Sequence, residues 1–390
     1  MDSQHPKRSA FSGRIGFVLS AAGASVGLGN IWRFPYLAAK YGGGIFLLIY
    51  IILAFTFGYT MIIAETALGR MTKKSPVGAY ASFGKGKGRS FGGWINAVIP
   101  ILIVPYYSVI GGWVIRYLAS YISGHGKELA SDGYFFNFIA NGASAEICFA
   151  IFTILTLAII FAGVRNGVER VSKVMMPILV VLSVIIAVYS VTRPGALAGV
   201  KYFLVPNVSN FSWMTVVTAM GQMFYSLSIA MGILITFGSY MKKDVSIEDS
   251  TKNVELFDTA IAIMAGLMII PAVFSFSGGD PDTLQAGPAL MFITIPKVFD
   301  SMGLGTVVGI LFFTLVLFAA LTSSIALTES AVSTFEDELG WERHRSTFLI
   351  GGIMLVLGSL SALGYGPLSS ITIFEMQFLD FFDFLTNSVM

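Results

Sequence analysis

The residues best placed to do chemistry lie where two distant apolar stretches are interrupted by small and polar residues. The interruptions are Gly23, Gly27 and Gly29 in SAAGASVGLGNIWRFP, and Ser226, Ser228 and Gly232 in GQMFYSLSIAMG. Glycine weakens a helix and serine competes for its backbone hydrogen bonds, so both segments could open and free amides and carbonyls. At membrane depth, such backbone is tolerable only around a cavity.

The alternative for an isolated pair of these glycines is close helix packing. Here the two interruptions lie one half-chain apart, in the first and the sixth apolar stretch, and each has polar neighbours. Paired breaks in corresponding halves are typical of transporters that bind their substrate near the membrane midplane. We therefore favour a binding site for a small polar ligand or ion.

Other kinds of site lack a basis in the sequence. We find no Ser/His/Asp set, no paired catalytic carboxylates and no phosphate loop, so we predict that the chain is not an enzyme. The three histidines are scattered and the single cysteine, Cys148, has no partner for a disulfide or a zinc site. The net charge of +2 does not indicate a nucleic-acid partner, and no repeated channel filter is present.

The elements that position the interrupted segments must be membrane helices. Of the 390 residues, 55% are hydrophobic and 12% are charged, and the mean hydropathy is +0.78, which is too apolar for a water-soluble globule. The lipid bilayer is therefore the expected solvent. Stretches of about 20 mainly apolar residues, enough to cross ~30 Å of hydrocarbon, predict ten spans. They are 14–37, 44–69, 91–123, 146–163, 168–192, 213–240, 254–278, 303–334, 346–363 and 371–390.

Basic residues predict the orientation. With the N-terminus in the cytoplasm, 17 of the 24 Lys and Arg residues fall in the N-terminal segment or the internal loops. The external connections hold only a few, such as Lys127, Arg193, Lys201 and Lys297. We predict a multi-pass protein of the inner (plasma) membrane with a cytoplasmic N-terminus.

Four segments resemble the neurotransmitter:sodium symporter family. They read GASVGLGNIWRFPYLAAKYGGGIFLLIY, GQMFYSLSIAMGILITFGSY, FAALTSSIAL and FEDEL, and they occur in the family's order with compatible spacing. The resemblance runs from Arg8 to about Asp383. It implies an all-α polytopic membrane protein with two inverted five-helix repeats, residues 1–192 and 193–390, in which helices 1 and 6 are discontinuous. It also implies a prokaryotic sodium-dependent amino-acid transporter.

The resemblance implies a sodium ion, at the family's second site, bound by residues of spans 1 and 8. These residues are Gly23, Val26 and Ala319 through backbone carbonyls, and Thr322 and Ser323 through hydroxyls. The chemistry agrees, because neutral oxygens can replace water around a hard monovalent cation without a buried charge. Ala319, Thr322 and Ser323 share one helix face at i, i+3 and i+4. For Thr322 and Ser323 alone, packing with backbone-bonded hydroxyls is the alternative.

The resemblance implies a second sodium ion, at the family's first site, beside the substrate. Its ligands would be Ser25, Asn30, Ser226 and Asp258. Asp258 departs from the family pattern, which has an asparagine there. An aspartate within a membrane helix is costly unless it is paired, and a nearby cation explains it well. The alternative is a solvated Asp258 near the cytoplasmic end of span 7.

The aspartate also bears on chloride. In the family's chloride-dependent branch, an anion binds near the positions of Tyr50, Gln222, Ser226, Asp258 and Ala262. A carboxylate at Asp258 would supply that negative charge, and the methyl group of Ala262 offers an anion no donor. We predict two sodium ions and no chloride requirement.

The resemblance also implies the substrate class. Gly27 stands where amine-transporting relatives carry an aspartate, so an α-amino acid is expected. Its carboxylate would meet the amides of Leu28 and Gly29 and the hydroxyl of Tyr107. Its amino group would face carbonyls near Ser25, Tyr225 and Ser226, with the Ser228 hydroxyl nearby.

The pocket for the substrate side chain would be mainly large and apolar. Its predicted lining is Ile103, Tyr107, Tyr225, Met231, Ser323 and Leu327. A neutral hydrophobic or aromatic amino acid fits it best, although the adaptable Met231 blurs the size limit. For Ile103, Met231 or Leu327 taken singly, ordinary core packing is the alternative.

Two charged pairs are expected to gate the site. Arg33 would pair with Asp383 on the external side, directly or through water, and Arg8 with Asp337 on the internal side. Partly hydrated pairs break at modest cost, which suits alternating access. For Arg8 and Asp337, ordinary cytoplasmic charge is the alternative.

A membrane protein of the same fold that senses or binds an amino acid without transporting it is the alternative function. The predicted last span runs to Met390 without a polar flank. We therefore also expect the chain to be truncated after span 10.

Overall fold

The computed structural model describes the backbone of residues 9–84, 87–278 and 287–390, with the side chains of residues 87–90 left out. The described part of the chain is helical, and its only strand-like pairing is an isolated bridge from Ile373 to Met376. The α-helices are α1 Arg14–Ser25, α2 Phe34–Lys40, α3 Gly44–Leu53, α4 Tyr59–Thr72, α5 Pro76–Ala81, α6 Lys87–Ile122, α7 Tyr134–Ala140, α8 Gly142–Phe161, α9 Arg170–Val191, α10 Ala196–Leu204, α11 Trp213–Ser226, α12 Ile233–Tyr240, α13 Ile247–Ser277, α14 Ile295–Asp300, α15 Gly305–Leu339, α16 Arg343–Leu363 and α17 Phe378–Phe384.

Short π- and 3₁₀-helical segments join several of these helices. The π-helical segments are Gly29–Arg33, Ala54–Gly58, Val164–Glu169, Leu290–Thr294 and Leu385–Val389, and the 3₁₀ turns are Gly126–Ala130 and Val208–Asn210. The segment Ala54–Gly58 joins α3 and α4 into one span, and Val164–Glu169 extends α9.

Most of the predicted spans correspond to helices. In the described ranges, seven helical stretches are long and apolar enough to cross a membrane, and α1 with Gly29–Lys40 forms an eighth that bends by 53°. The predicted sixth span consists of α11 and α12 with a non-helical segment, Leu227–Gly232, from one to the other. Helices 1 and 6 are thus discontinuous, as the resemblance implied.

The last predicted span, 371–390, is too long. Residues 364–377 form turns, and the helix begins only at Phe378 and continues as the π-helical segment to Val389. These twelve residues span roughly 18 Å at ~1.5 Å per residue, less than the hydrocarbon thickness. The apolar Ile371, Ile373 and Phe374 raise the local hydropathy without being helical.

Burial separates the central helices from the peripheral ones. The most apolar window of α6 is 78% buried inside the protein, whereas that of α8 is 39% buried. α15 packs against α6, α9 and α1, so α1, α6, α13 and α15 form the centre of the bundle. Exposed Phe348 and Val356 on α16 illustrate the apolar outer surface that such a bundle presents to lipid.

Candidate functional site

The first helix break frees backbone amides at the centre of the bundle. α1 ends where Val26 adopts an extended conformation. The amide of Gly27 donates to Oδ1 of Asn30 at 3.2 Å, and the amide of Leu28 donates to the hydroxyl of Tyr107 at 3.3 Å. Two of the amides that the helix releases thus have side-chain acceptors at the edge of the break.

Two glycines at this break are required by close approach. A Cβ at Gly27 would lie 2.6 Å from Oγ of Ser323, and a Cβ at Gly29 would lie 2.5 Å from the ring of Tyr225. Both neighbours are side chains of the predicted site. A side chain at either glycine would displace the groups that line the cavity. Close packing at these two glycines is therefore part of what shapes the site.

The second break, Leu227–Gly232, is held in a strained conformation. Ser228 and Ala230 have φ values of 54° and 63°, which cost non-glycine residues about 1–3 kcal/mol each. Two contacts hold them: the Ser228 hydroxyl donates to the carbonyl of Ala24 at 3.3 Å, and the Ala230 amide donates to Oε1 of Glu65 at 2.8 Å. The sequence indicated only a structural or hydration-lining role for Glu65, which the structure makes a partner of this break.

A buried cavity lies between the two breaks, α6 and α15. All eleven residues predicted for the substrate site line it: Ser25, Leu28, Gly29, Ile103, Tyr107, Tyr225, Ser226, Ser228, Met231, Ser323 and Leu327. The sequence analysis missed Ala24 and Ile233, which also line the cavity. Neither carries a polar side chain, so neither gave a chemical signal.

Asp258 lies beside this cavity, fully buried, at the centre of a hydrogen-bond network. Its Oδ1 accepts from Nδ2 of Asn30 at 2.8 Å and from the Ser226 hydroxyl at 2.8 Å, and its Oδ2 accepts from the Tyr50 hydroxyl at 2.9 Å. These donors are all neutral. Ser25, predicted with this group, instead donates its hydroxyl to the carbonyl of Ala21 at 3.2 Å. The alternative of a solvated Asp258 is wrong, because the side chain is enclosed.

A second group of oxygens lies on the other side of the break. The Ser323 hydroxyl is within 3.3 Å of the carbonyls of Gly23 and Val26. Thr322 lies next to it, and its hydroxyl donates to the carbonyl of Phe318 at 2.9 Å and lies 3.2 Å from the carbonyl of Ala319. The five predicted residues thus come together as neutral hydroxyl and carbonyl oxygens, a donor set that suits sodium.

The predicted gate residues form other contacts. Arg33 lies over the ring of Tyr225, with its guanidinium carbon 4.9 Å from the ring centre, and makes no direct ion pair with Asp383. Asp383 accepts from Nδ2 of Asn387 at 2.7 Å. At the other end, Asp337 accepts from the backbone amide of Ser75 at 2.5 Å, and Arg8 lies outside the described residues.

A buried ion pair at the same end as Asp337 escaped the sequence analysis. Arg343 donates to both oxygens of Glu329, at 3.0 and 2.5 Å, and Tyr240 donates to Oε1 of Glu329 at 2.8 Å. Arg343 is one of the 17 basic residues that the sequence predicts on the cytoplasmic side. No local pattern could pair it with an acid fourteen residues earlier on a different helix.

Comparison with known proteins agrees with this architecture. The family model described as the sodium:neurotransmitter symporter family matches residues 8–127 and 138–389. The chain is 35% identical to the uncharacterized sodium-dependent transporter YhdH of Bacillus subtilis, over all of this chain and 86% of that protein. It is 27% identical to the human sodium- and chloride-dependent GABA transporter 2, over 90% of this chain and 66% of that protein.

A solved structure is similar over nearly the whole chain. The crystal structure of MhsT in complex with L-phenylalanine matches with a TM-score of 0.87 and 38% identity, covering 98% of this chain and 87% of that one. Together with the family match and the apolar helices, this shows a sodium-dependent, multi-pass membrane transporter of the same all-α fold, not an enzyme. The chain therefore belongs to the sodium:neurotransmitter symporter family.

Proposed function

We propose that the chain imports a neutral hydrophobic or aromatic amino acid by sodium-coupled symport across the inner membrane, with its N-terminus in the cytoplasm. The observation that carries the proposal is the central cavity. It offers the Leu28 amide beside the Tyr107 hydroxyl, which suits a carboxylate, and an apolar lining from Ile103, Met231, Ile233 and Leu327. A large apolar side chain would bury there favourably.

The absence of an acidic side chain at Gly27 supports an amino acid over a simple amine. Gly27 and its neighbours Ala24 and Leu28 line the cavity without a countercharge for an ammonium group, which would then depend on carbonyls and hydroxyls. A zwitterion brings its own carboxylate to balance that charge. The complex of the similar MhsT with L-phenylalanine supports the same substrate class.

Two sodium ions are part of the proposal. The first would lie between Asn30, Ser226 and Asp258, with Ser25 close by, and the substrate carboxylate would complete its shell. The second would lie among Gly23, Val26, Ala319, Thr322 and Ser323. Different affinities of sodium and substrate for the two conformations are what make coupling possible.

We propose that chloride is not required. Tyr50 and Ser226, two of the donors expected near an anion, both donate to the Asp258 carboxylate. The carboxylate thus uses donors that a halide would need. Because it is buried with neutral donors only, a bound sodium ion would supply its countercharge.

The two halves, 1–192 and 193–390, are proposed to be inverted repeats, and the conformational cycle is proposed to open the site to one side of the membrane at a time. On the external side, Arg33 over the Tyr225 ring and Asp383 beside Asn387 would approach when the site closes. On the internal side, release of Asp337 from Ser75 and from Arg8 would open the path to the cytoplasm.

Uptake into proteoliposomes tests the function. The purified chain should accumulate a large neutral amino acid, identified by screening all twenty, only under an inward sodium gradient and not under a potassium gradient. Binding without accumulation would favour the sensor alternative. Tyr107→Phe should weaken uptake about tenfold by removing the hydroxyl beside Leu28. Tyr189→Phe is the control, because its hydroxyl has no hydrogen-bond partner among the described residues and does not line the cavity.

A further inference from the structure

The inner half of the interrupted sixth span, α12, carries part of the wall of the central cavity. It begins at Ile233, which lines the cavity, and all eight of its residues are buried. The non-helical segment Leu227–Gly232 joins it to α11. The position of the cavity wall at Ile233 therefore depends on the contacts that fix α12 within the bundle.

α4 and α12 cross with their backbones in contact. A Cβ at Gly69 on α4 would overlap the carbonyl oxygen of Ile235, and a Cβ at Gly238 on α12 would overlap the carbonyl oxygen of Thr66. The helices approach this closely because both positions are glycine. The middle of α12 is therefore fixed against α4.

Opposite charges of α4 meet the two ends of α12. Just before α12 begins, the Ala230 amide donates to Oε1 of Glu65 at 2.8 Å. At the other end, Nζ of Lys73 donates to the carbonyls of Ser239 at 3.2 Å and Met241 at 2.5 Å. An acid near the start of a helix and a base near its end both complement the helix dipole, and the last carbonyls have no partner within the helix.

The backbone of Lys73 is an independent sign that its side chain matters. Lys73 is the C-cap of α4 and has the left-handed conformation, with φ 58° and ψ 30°. Glycine adopts this conformation freely, whereas other residues seldom do. α13 and α15 end in the same conformation at glycines, Gly278 and Gly340. α4 instead has a lysine there, whose side chain reaches the end of α12.

We propose that Lys73 is a positioning residue for transport. Lys73 and Glu65 hold α12 to α4 at its two ends, so the cavity wall at Ile233 keeps its place relative to α4 while the segment Leu227–Gly232 adjusts. The functional part of this inference rests on the proposed function, because the wall affects transport only if the substrate binds in the central cavity.

Alkylation of a cysteine in α12 tests the inference on the full chain without relying on transport. Ser239→Cys keeps the carbonyl that Lys73 contacts, and residue 239 is only 1% exposed, so N-ethylmaleimide should react slowly there. Lys73→Met should speed this reaction about tenfold, because the charged donor at the end of α12 is lost. Lys73→Arg keeps the charge and should react slowly. Lys74→Met, at the exposed neighbouring lysine, is the matched control.

The native Cys148 separates a local effect from a general one. It is buried on α8, so its reaction with the same reagent should be equally slow in all variants. No acceleration at Ser239→Cys in Lys73→Met would overturn the inference. Equal acceleration of both cysteines would show a general loosening of the fold and would overturn it as well.

Lys73→Gly separates the side chain from the backbone. Glycine suits the left-handed conformation, so this variant should melt at a higher temperature than Lys73→Met. It also lacks the ammonium group, so Ser239→Cys should react as fast as in Lys73→Met. Slow alkylation in Lys73→Gly would show that the backbone, and not the ammonium group, fixes α12.

Uptake into proteoliposomes tests the functional part. With the amino acid found by the screen above, Lys73→Met should raise the substrate concentration for half-maximal uptake roughly fivefold. The sodium concentration for half-maximal uptake should not change, because neither proposed sodium group includes a residue of α12. Fast alkylation with unchanged substrate dependence would contradict the role in transport. If the unmodified protein took up no amino acid, the proposed function would fail, and the alkylation rates would still decide whether Lys73 holds α12.

Discussion

The two groups of oxygens beside the first helix break differ in charge, although both involve α1 and its continuation. The group around Asn30 and Ser226 is organised by the fully buried carboxylate of Asp258, which accepts from neutral donors only. The group around Ser323 consists of hydroxyls and backbone carbonyls from α1 and α15 and contains no charged side chain.

This difference separates two ways of holding a cation in a membrane protein. A buried carboxylate is costly alone, so it gains most when the cation binds, and its loss is expected to have a large effect. A neutral shell carries no such cost, and each oxygen contributes only part of the coordination. Charge should dominate at the first group and geometry at the second.

The largest expected effect is at Asp258. Asp258→Asn keeps the shape and removes the charge. Losing one partner of a buried ion pair costs about 3–5 kcal/mol, so sodium-driven uptake in chloride-free medium should fall by about a hundredfold or more at low sodium. Chloride should restore part of it, because Tyr50 and Ser226 would then be free to donate to a halide. Uptake is measured with chloride or gluconate as the anion.

Two controls make the Asp258 prediction decisive. The unmodified protein should transport equally in chloride and gluconate, and Asp244→Asn, an exposed acid in a loop, should behave like it. A chloride requirement of the unmodified protein would contradict the role of the carboxylate. Unchanged uptake by Asp258→Asn in gluconate would show that transport does not depend on the carboxylate charge. It would contradict the proposed difference between the two groups.

A smaller effect is expected at Ser323. Ser323→Ala removes a hydroxyl that lies within 3.3 Å of the Gly23, Ala24 and Val26 carbonyls. The sodium concentration for half-maximal uptake should rise about tenfold, with no new chloride dependence. Ser324→Ala is the matched control, since its hydroxyl faces Thr156. If uptake by Ser323→Ala became dependent on chloride, the effect of anions would not be confined to the group that contains Asp258, which would contradict the comparison.

The sequence predicted the parts of the site that depend on composition and order. Glycine and serine interruptions located both helix breaks, and the family resemblance assigned the residues that line the cavity. The left-handed conformations of Ser228 and Ala230 could not be predicted in this way, because nothing in their residue types favours positive φ. They depend on tertiary contacts with Ala24 and Glu65.

Hydropathy failed where apolar residues are not helical. It extended the last span across Ile371 and Phe374, although residues 364–377, including Pro367, form turns and the helix begins at Phe378. It also treated Arg343 as a loop charge, whereas the residue reaches back to the buried Glu329. A window average of hydropathy cannot tell an apolar turn from an apolar helix. It also contains no information about which distant residues meet.

The smallest expected effect is at Thr322 and concerns shape. Its Cβ would lie 3.2 Å from a Cβ at Gly23, so the side chain packs closely against α1. Thr322→Ser keeps the hydroxyl, and half-maximal sodium should change by no more than about twofold, because a neutral shell needs the oxygen and tolerates loss of a methyl. Thr322→Val keeps the branched shape without the oxygen and should match Ser323→Ala. If Thr322→Ser lost as much sodium affinity as Thr322→Val, packing against Gly23 would outweigh coordination, and the neutral group would be a helix contact instead of an ion site.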